Sequence, residues 1–128
     1  MKPLATIPTV LIVEDAGAVR ATLEIALQAL PIVIQCLSSA EEALQVLSRE
    51  DVSAIITDLH LPAMDGFELI ERVRALPGQS GVPILVTSGD SDPRTPARVL
   101  RKGANAFFPK PYSPAAVRQK LEQLIDAK

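Results

Sequence analysis

Residues 54–66, AIITDLHLPAMDG, are the stretch that decides the fold. The stretch opens on apolar, mostly β-branched residues and then passes directly into the polar pair Thr57 and Asp58. A short run that is apolar at successive positions is typical of a strand buried on both faces of a parallel sheet. The turn pair Asp65 and Gly66 then leads into a helical pattern. The stretch therefore predicts a strand–turn–helix unit whose strand ends in a carboxylate.

The same alternation of short apolar runs and amphipathic stretches occurs five times along the chain. The apolar runs predict strands at residues 10–13, 32–34, 54–56, 84–86 and 106–108. The helical faces that should pack on them consist of Val19, Leu23, Ala26, Leu27 and Leu30, then Ala40, Ala43, Leu44 and Leu47, then Phe67, Ile70 and Val73, then residues 95–102, and finally Val117, Leu121, Leu124 and Ile125. Repeated strand–helix units predict an α/β fold in which helices cover both faces of a parallel sheet.

Several local signals mark where the predicted helices begin and end. Ser39, with Glu42 three residues later, forms a capping box pattern, and Gly103 is placed to end the fourth helix. Ser113 is a candidate N-cap, with Pro114 at the first helical position. We expect a single (βα)5 domain at residues 9–127, preceded by an N-terminal extension at residues 1–8.

The composition is that of an ordinary globular domain. Of the 128 residues, 48% are hydrophobic and 22% charged, the net charge is −2, and the basic residues are scattered, so direct contact with nucleic acid is not expected. No apolar run approaches the roughly 20 residues that span a bilayer. The first residues lack the apolar segment of a secretory signal, and Cys36 has no partner for a disulfide. We expect a cytoplasmic protein with no membrane contact.

Polar residues follow four of the five predicted strands. Glu14 and Asp15 follow the first, Asp58 follows the third, a Thr-Ser-Gly run follows the fourth, and Lys110 follows the fifth. Because ligands bind at the carboxyl ends of the strands in open α/β sheets, we expect these groups to share one site. Crowded carboxylates need a cation, and an all-oxygen site favours Mg²⁺ or Mn²⁺ over zinc.

Four motifs in order resemble the receiver family of two-component response regulators, to which the chemotaxis regulators belong. They are LIVED at residues 11–15, TDLHLPAMDG at 57–66, PILVTSG at 83–89 and GANAFFPKP at 103–111. The resemblance extends over nearly the whole chain. It implies a doubly wound, flavodoxin-like sheet with the strand order 2-1-3-4-5.

The resemblance implies a phosphoryl acceptor and a metal site. Asp58 matches the position of the family's phosphoacceptor. Glu14 and Asp15 match the acidic pair that holds Mg²⁺, with Glu14 standing where Asp is commoner, and the backbone carbonyl of His60 matches a further ligand. An aspartyl phosphate is a known covalent intermediate, and phosphoryl transfer needs mainly positioning and charge neutralisation.

Three further residues correspond to the family's switch. Lys110 matches the ammonium that pairs with the phosphoryl group, and the Lys110–Pro111 peptide is expected to be cis. Ser88 matches the hydroxyl that moves towards the phosphoryl group, although the adjacent Thr87 is also hydroxylic. Phe107 matches the aromatic ring that turns inward when that hydroxyl moves.

Two residues at the edge of the predicted site should set the lifetime of the phosphorylated state. His60 and Asp90 lie two residues beyond Asp58 and Ser88. Because histidine can change its charge near neutral pH, we expect phosphoryl loss to vary with pH between about 6 and 8 and His60→Ala to flatten that dependence.

The family's partners are expected here as well. A sensor histidine kinase or histidine phosphotransfer protein should dock at Val19, Pro111 and Tyr112, and an unknown protein should receive the signal. A dimer through the face of the fourth helix, fifth strand and fifth helix is a further expectation. The function predicted is a signalling switch and not a turnover enzyme.

Three alternatives remain open from the sequence. A phosphatase of the haloacid dehalogenase type would need an acid two residues after its nucleophile, where this chain has His60. A flavodoxin-like FMN carrier fits poorly with an acidic edge and 3% aromatic residues. A degenerate receiver that acts as a phosphorylation-independent docking module would be expected to lack one of the site residues, and all are present.

Overall fold

The computed structural model describes residues 7–126. Residues 1–6 of the predicted extension, and residue 127 at the predicted end of the domain, lie outside this range. Five strands alternate with five helices: β1 Thr9–Val13, α1 Gly17–Leu27, β2 Val33–Leu37, α2 Ala40–Leu47, β3 Ala54–Asp58, α3 Gly66–Ala75, β4 Ile84–Ser88, α4 Thr95–Lys102, β5 Ala106–Pro109 and α5 Pro114–Asp126.

The strands form one parallel sheet in the order β2-β1-β3-β4-β5, which confirms the predicted doubly wound α/β fold. Two hydrophobic clusters lie on its two faces. The larger cluster joins residues of the sheet to α2, α3 and α4, and the second joins the sheet to α1 and α5. All five strands run in one direction, so their carboxyl ends meet at one edge, which we call the carboxyl edge.

The second strand differs from its prediction. Residues 32–34 were expected, whereas β2 runs over Val33–Leu37. Ile32 is still part of the preceding turn, since its N–H donates to the Leu30 carbonyl at 2.9 Å. As an outer strand, β2 is only partly covered, and Val33 is 47% exposed. The expectation that this strand is buried on both faces is therefore wrong, and partial exposure explains why it can contain Gln35.

Most helix boundaries follow the predicted signals. Gly103 ends α4 with a φ of 122°, a conformation that favours glycine, and the Ser113 hydroxyl accepts a hydrogen bond from the Ala116 N–H at 3.3 Å. Leu30, predicted on the first helix, lies beyond its end, where it still packs against the second cluster.

The predicted capping box is half formed. The Glu42 N–H donates to the Ser39 hydroxyl at 3.2 Å, as expected. The Glu42 carboxylate does not return to the Ser39 N–H but accepts from the N–H of Ser38 at 3.2 Å. Among the helices formed by residues 7–126, none is long and apolar enough to cross a bilayer.

Candidate functional site

Three carboxylates meet at the carboxyl edge. Glu14 follows β1 directly, Asp58 ends β3, and one oxygen from each of Glu14, Asp15 and Asp58 lies within 4.8 Å of the others. Glu14 and Asp58 are only 2% and 7% exposed, whereas Asp15 is open to solvent. Like charges this close repel strongly where water is largely excluded. The arrangement is therefore suited to binding a cation at a site that is open to solvent on one side.

The Lys110 ammonium joins two of these acids. Its Nζ donates to Asp58 Oδ2 at 3.1 Å and to Glu14 Oε1 at 3.2 Å. The Lys110 backbone N–H donates to the Ser88 carbonyl at 2.7 Å, which fixes the start of the loop after β5, and the Lys110–Pro111 peptide is cis, as expected. Burial lowers the pKa of Lys110, but the hydrogen bonds and charges of Asp58 and Glu14 outweigh it, so the pKa is raised overall. The side chain therefore stays charged.

The Glu14 carboxyl is held in an unfavourable position for a negative charge. Burial raises its pKa, and the nearby Asp58 charge raises it further, against hydrogen bonds from the Ala16 N–H and the Lys110 ammonium. The Arg20 side chain does not contact this carboxylate but donates to the Glu14 backbone carbonyl at 2.7 Å, which fixes the end of β1. One ammonium therefore does not fully offset the buried negative charge.

The turn after β3 orients Asp58. The His60 N–H donates to Asp58 Oδ1 at 3.2 Å, so the two carboxylate oxygens have different partners. The turn closes where the Gly66 N–H donates to the Leu59 carbonyl at 2.7 Å. A Cβ on Gly66 would lie 2.8 Å from Leu59 Cα and 2.9 Å from the Asp58 carbonyl oxygen. Only glycine lets α3 begin this close to the acidic residue.

The two hydroxyl residues at the end of β4 are both buried. Thr87 pairs with Asp58 in the sheet register, and Ser88 pairs with Pro109, next to Lys110. Successive residues of a strand point to opposite faces, so only one of the two hydroxyls can share a face with a given neighbour. The Ser88 hydroxyl, which is fully buried, accepts a hydrogen bond from the Asp90 N–H at 2.9 Å.

His60 and Asp90, the predicted timing residues, lie side by side. His60 Nε2 is 3.6 Å from Asp90 Oδ2, and its side chain is 60% exposed. The Asp90 carboxylate accepts from the Asp92 N–H at 2.8 Å and from the Thr95 hydroxyl at 3.1 Å. These hydrogen bonds, the Asp92 N–H first, lower the pKa of Asp90. Asp90 is therefore a negative charge at the rim of the site.

Phe107, the predicted switch residue, and the predicted docking residues lie on opposite sides of β5. Phe107 is half-buried, pairs with Val86 in the register and packs against the larger cluster. Val19, Pro111 and Tyr112 line one surface depression of about 300 Å³ beside Lys110. The structure thus brings the three docking candidates into one patch next to the acidic site.

Sequence reasoning assigned no role to three polar residues that organise the site's surroundings. Arg20 fixes the Glu14 backbone, and Thr95 contacts Asp90. Arg74 is farther from the site and donates to the carbonyls of Val82 at 2.6 Å and Gly103 at 2.7 Å, which ties α3 to the loop before β4 and to the loop between α4 and β5. For Thr95, the signal was a threonine before Pro96 at a helix start. The two arginines donate to backbone carbonyls that lie 6, 8 and 29 positions away, and no local sequence pattern indicates such contacts.

Comparison with known proteins identifies the family. The pattern of the family described as "Response regulator receiver domain" matches residues 10–122. Two-component response regulator ORR11 of Oryza sativa is 31% identical over 119 residues, which cover 92% of this chain and 81% of that protein. The sensory/regulatory protein RpfC of Xanthomonas campestris is 31% identical over 116 residues, which cover 89% of this chain but only 16% of that protein.

Solved structures agree with the fold. Chemotaxis response regulator CheY4 of Vibrio cholerae superposes with a TM-score of 0.84 at 26% identity, over 93% of this chain and 99% of that one. The receiver domain of sensor histidine kinase PA1611 from Pseudomonas aeruginosa, solved with a magnesium ion coordinated in its active site cleft, gives a TM-score of 0.84 over 94% and 99% of the two chains. Its 24% identity establishes the fold alone.

The family match extends over most of the chain, and it argues against the phosphatase and the FMN carrier that the sequence left open. The acidic pocket lies where the four motifs placed it, at the carboxyl edge of a sheet with the expected order. The chain belongs to the response regulator receiver domain family.

Proposed function

We propose that this receiver accepts a phosphoryl group on Asp58 from a phosphohistidine and signals by a change of conformation. The observation that carries the proposal is the contact of Lys110 Nζ with Asp58 Oδ2 at 3.1 Å, beside two further carboxylates. A nucleophilic carboxylate, a fixed ammonium and a candidate cation site are what phosphoryl transfer requires of a protein.

Glu14, Asp15 and Asp58 would hold the metal, Mg²⁺ or Mn²⁺, with the His60 carbonyl as a further ligand. The donor set fits such an ion because all its ligand atoms are oxygens and because the site is open to solvent at Asp15. It also fits because the charge of the buried Glu14 carboxylate is not fully neutralised. In the Pseudomonas receiver, which shares this fold, a magnesium ion is coordinated in the active site cleft. When bound, such an ion supplies positive charge against the oxygens of the transferred group.

The transfer step is a displacement at phosphorus. An Asp58 oxygen forms the new O–P bond, the P–N bond of the phosphohistidine breaks, and the imidazole leaves with the electron pair and takes up a proton. The Lys110 ammonium, already in contact with Asp58, shifts to an oxygen of the phosphoryl group. The Ser88 hydroxyl donates to a second oxygen. These residues stabilise charge and orientation, which is most of what the reaction needs.

The signal would start from Ser88. Its hydroxyl accepts from the Asp90 N–H in the unphosphorylated state, and we infer that it turns away from that N–H to donate to the phosphoryl group. Phe107, half-buried on the neighbouring strand, then turns inward, and the surface of α4 and β5 changes. His60 and Asp90 flank the path by which water reaches the phosphoryl group, and they set the lifetime of the phosphorylated state. Each molecule therefore holds one phosphoryl group and then loses it, as a switch does and a turnover enzyme does not.

The phosphodonor would be a sensor histidine kinase or a histidine phosphotransfer protein. It would dock on the patch of Val19, Pro111 and Tyr112, which lies beside Lys110. The chain spans only 16% of the Xanthomonas relative. From the family we further propose that an unknown target protein receives the signal and that the domain dimerises through the α4–β5–α5 face.

The deciding experiment is phosphorylation by a small donor. Protein incubated with Mg²⁺ and acetyl phosphate should gain the mass of one phosphoryl group, and Asp58→Asn should gain none. Asp51→Asn, a change at an exposed aspartate outside the site, is the matched control and should label as the wild type does. Absence of label in the wild type, or undiminished label in Asp58→Asn, would overturn the proposal. The first result would favour a docking module that works without phosphorylation.

A further inference from the structure

The start of α4 is held differently from the starts of α2 and α3. Those two helices begin after Ser39 and Asp65, whose side chains accept backbone N–H groups of the first turn. The residue before α4 is Arg94, which has helical backbone angles and makes no side-chain cap hydrogen bond. The second residue of α4 is Pro96, which has no N–H to donate. Two side chains therefore anchor this helix start, the Asp92 carboxylate, which accepts from the Arg94 N–H at 2.9 Å, and the Thr95 hydroxyl.

Thr95 reaches back towards the site. It is fully buried, its hydroxyl donates to Asp90 Oδ2 at 3.1 Å, and its N–H donates to the Asp92 carbonyl at 3.1 Å. A buried hydroxyl that lost its acceptor would carry a desolvation cost, so the Asp90 contact fixes where the first turn of α4 lies.

Asp90 also contacts Ser88 at the end of β4. Its backbone N–H donates to the Ser88 hydroxyl at 2.9 Å, and its second carboxylate oxygen accepts from the Asp92 N–H at 2.8 Å. His60 approaches the same oxygen that Thr95 uses, but at 3.6 Å, which is longer than a hydrogen bond. The chain Ser88–Asp90–Thr95 thus connects the end of β4 to the first turn of α4 through two hydrogen bonds.

We propose that Asp90 is a positioning residue that couples the orientation of the Ser88 hydroxyl to the start of α4 through Thr95. The proposal rests on the function proposed above, in which Ser88 donates to a phosphoryl group. When the hydroxyl reorients, the Asp90 N–H loses its acceptor, the Asp90 carboxylate shifts, and the Thr95 hydrogen bond weakens. The first turn of α4 then opens more readily in the phosphorylated state than in the unphosphorylated one.

Amide hydrogen exchange followed by NMR can test this on the whole chain. The reporters are the N–H groups of Thr95 and Arg98, which donate to Asp92 and Arg94 in the first turn. Phosphorylation of the wild type should speed their exchange. Thr95→Val, which removes only the hydroxyl at nearly constant volume, should speed it without any phosphodonor, by about two- to tenfold. Phosphodonor should then produce little further change, and the variant should still label on Asp58.

Two further variants separate coupling from a general loss of stability. Thr95→Ser keeps the hydroxyl and should restore both slow exchange and the response to phosphodonor. Thr22→Val removes an exposed hydroxyl that donates to the Ala18 carbonyl on α1, and it should leave exchange in α4 unchanged.

The outcomes distinguish the two proposals. If Thr95→Val exchanges like the wild type before the phosphodonor is added, or keeps the full wild-type response after it, the coupling through Asp90 is wrong. If α4 opens equally in Thr95→Ser, the hydroxyl is not the link, and the proposal is also wrong. If no protein acquires label, the proposed function fails, whereas the comparison without phosphodonor still decides whether Thr95 anchors the helix.

Discussion

Lys110 Nζ lies 3.1 Å from Asp58 Oδ2, although 52 positions separate the two residues in the chain. The contact follows from the sheet order, which places β4 between β3 and β5 and brings all three carboxyl ends to one edge. The same ammonium also donates a hydrogen bond to Glu14 at 3.2 Å, while Asp15 remains open to solvent. One cation is thus shared by two buried acids, which leaves negative charge for a second cation to offset.

Mg²⁺ should stabilise the folded domain. Binding to the folded state alone, at a free concentration of ten times the Kd, contributes about 1.4 kcal/mol and should raise Tm by roughly 5 °C in a domain of this size. Asp15→Ala should abolish the rise, because it removes the exposed carboxylate of the cluster. Differential scanning calorimetry with and without Mg²⁺ measures both effects. Asp51→Ala, which removes an exposed carboxylate elsewhere, should retain the full rise, and a wild-type Tm indifferent to millimolar Mg²⁺ would argue against the site.

Without metal, Glu14→Gln should raise Tm at neutral pH. Burial and the charge of Asp58 raise the pKa of Glu14, so folding favours its protonated form. The stability that this group contributes is therefore present in acid and lost as the pH rises through the folded-state pKa. The advantage of the glutamine variant should be larger at about pH 7 than at about pH 4, in thermal melts with a chelator. A variant that melts below the wild type at neutral pH would mean that the contact with Lys110 outweighs burial.

Much of this architecture follows from sequence because its causes are local. Apolar runs of the right length predicted four of the five strands closely, and the acids after β1 and β3 had to meet once the strands were parallel. The resemblance added the strand order. The boundary of β2 could not be predicted in the same way, because an outer strand is partly solvated and needs no continuous apolar run.

The sequence did not predict the contacts that depend on how distant elements pack together. Arg74 donates to carbonyls on two loops, and nothing in its own neighbourhood specifies them. The link from Thr95 to Asp90 needs the loop before α4 to be folded back on itself. Gly66 was read as part of a turn pair, whereas the structure gives it a second role, the close approach of α3 to Asp58.

Gly66→Ala should destabilise the fold. The new Cβ would lie 2.8 Å from Leu59 Cα and 2.9 Å from the Asp58 carbonyl, and both neighbours are backbone atoms that cannot move independently. Overpacking of this kind costs about 1–3 kcal/mol, measurable by urea unfolding. The matched control is Gly81→Ala, because nothing lies within 4 Å of a Cβ there. That variant should change stability by no more than about 0.5 kcal/mol, and equal effects of the two substitutions would remove the argument for close approach.

Val19→Asp should impair phosphotransfer from a partner protein but spare labelling by a small donor. Val19 lines the patch with Pro111 and Tyr112, and a buried carboxylate in that contact would oppose docking. Transfer from a phosphohistidine protein should slow about tenfold or more, as for a central interface residue, whereas the rate with acetyl phosphate should stay near that of the wild type. Ile25→Asp, on the same helix at a side chain 69% exposed outside the patch, serves as the control and should affect neither rate. Equal loss with both donors would show that Val19 supports the fold or the acidic site and not the contact with a partner.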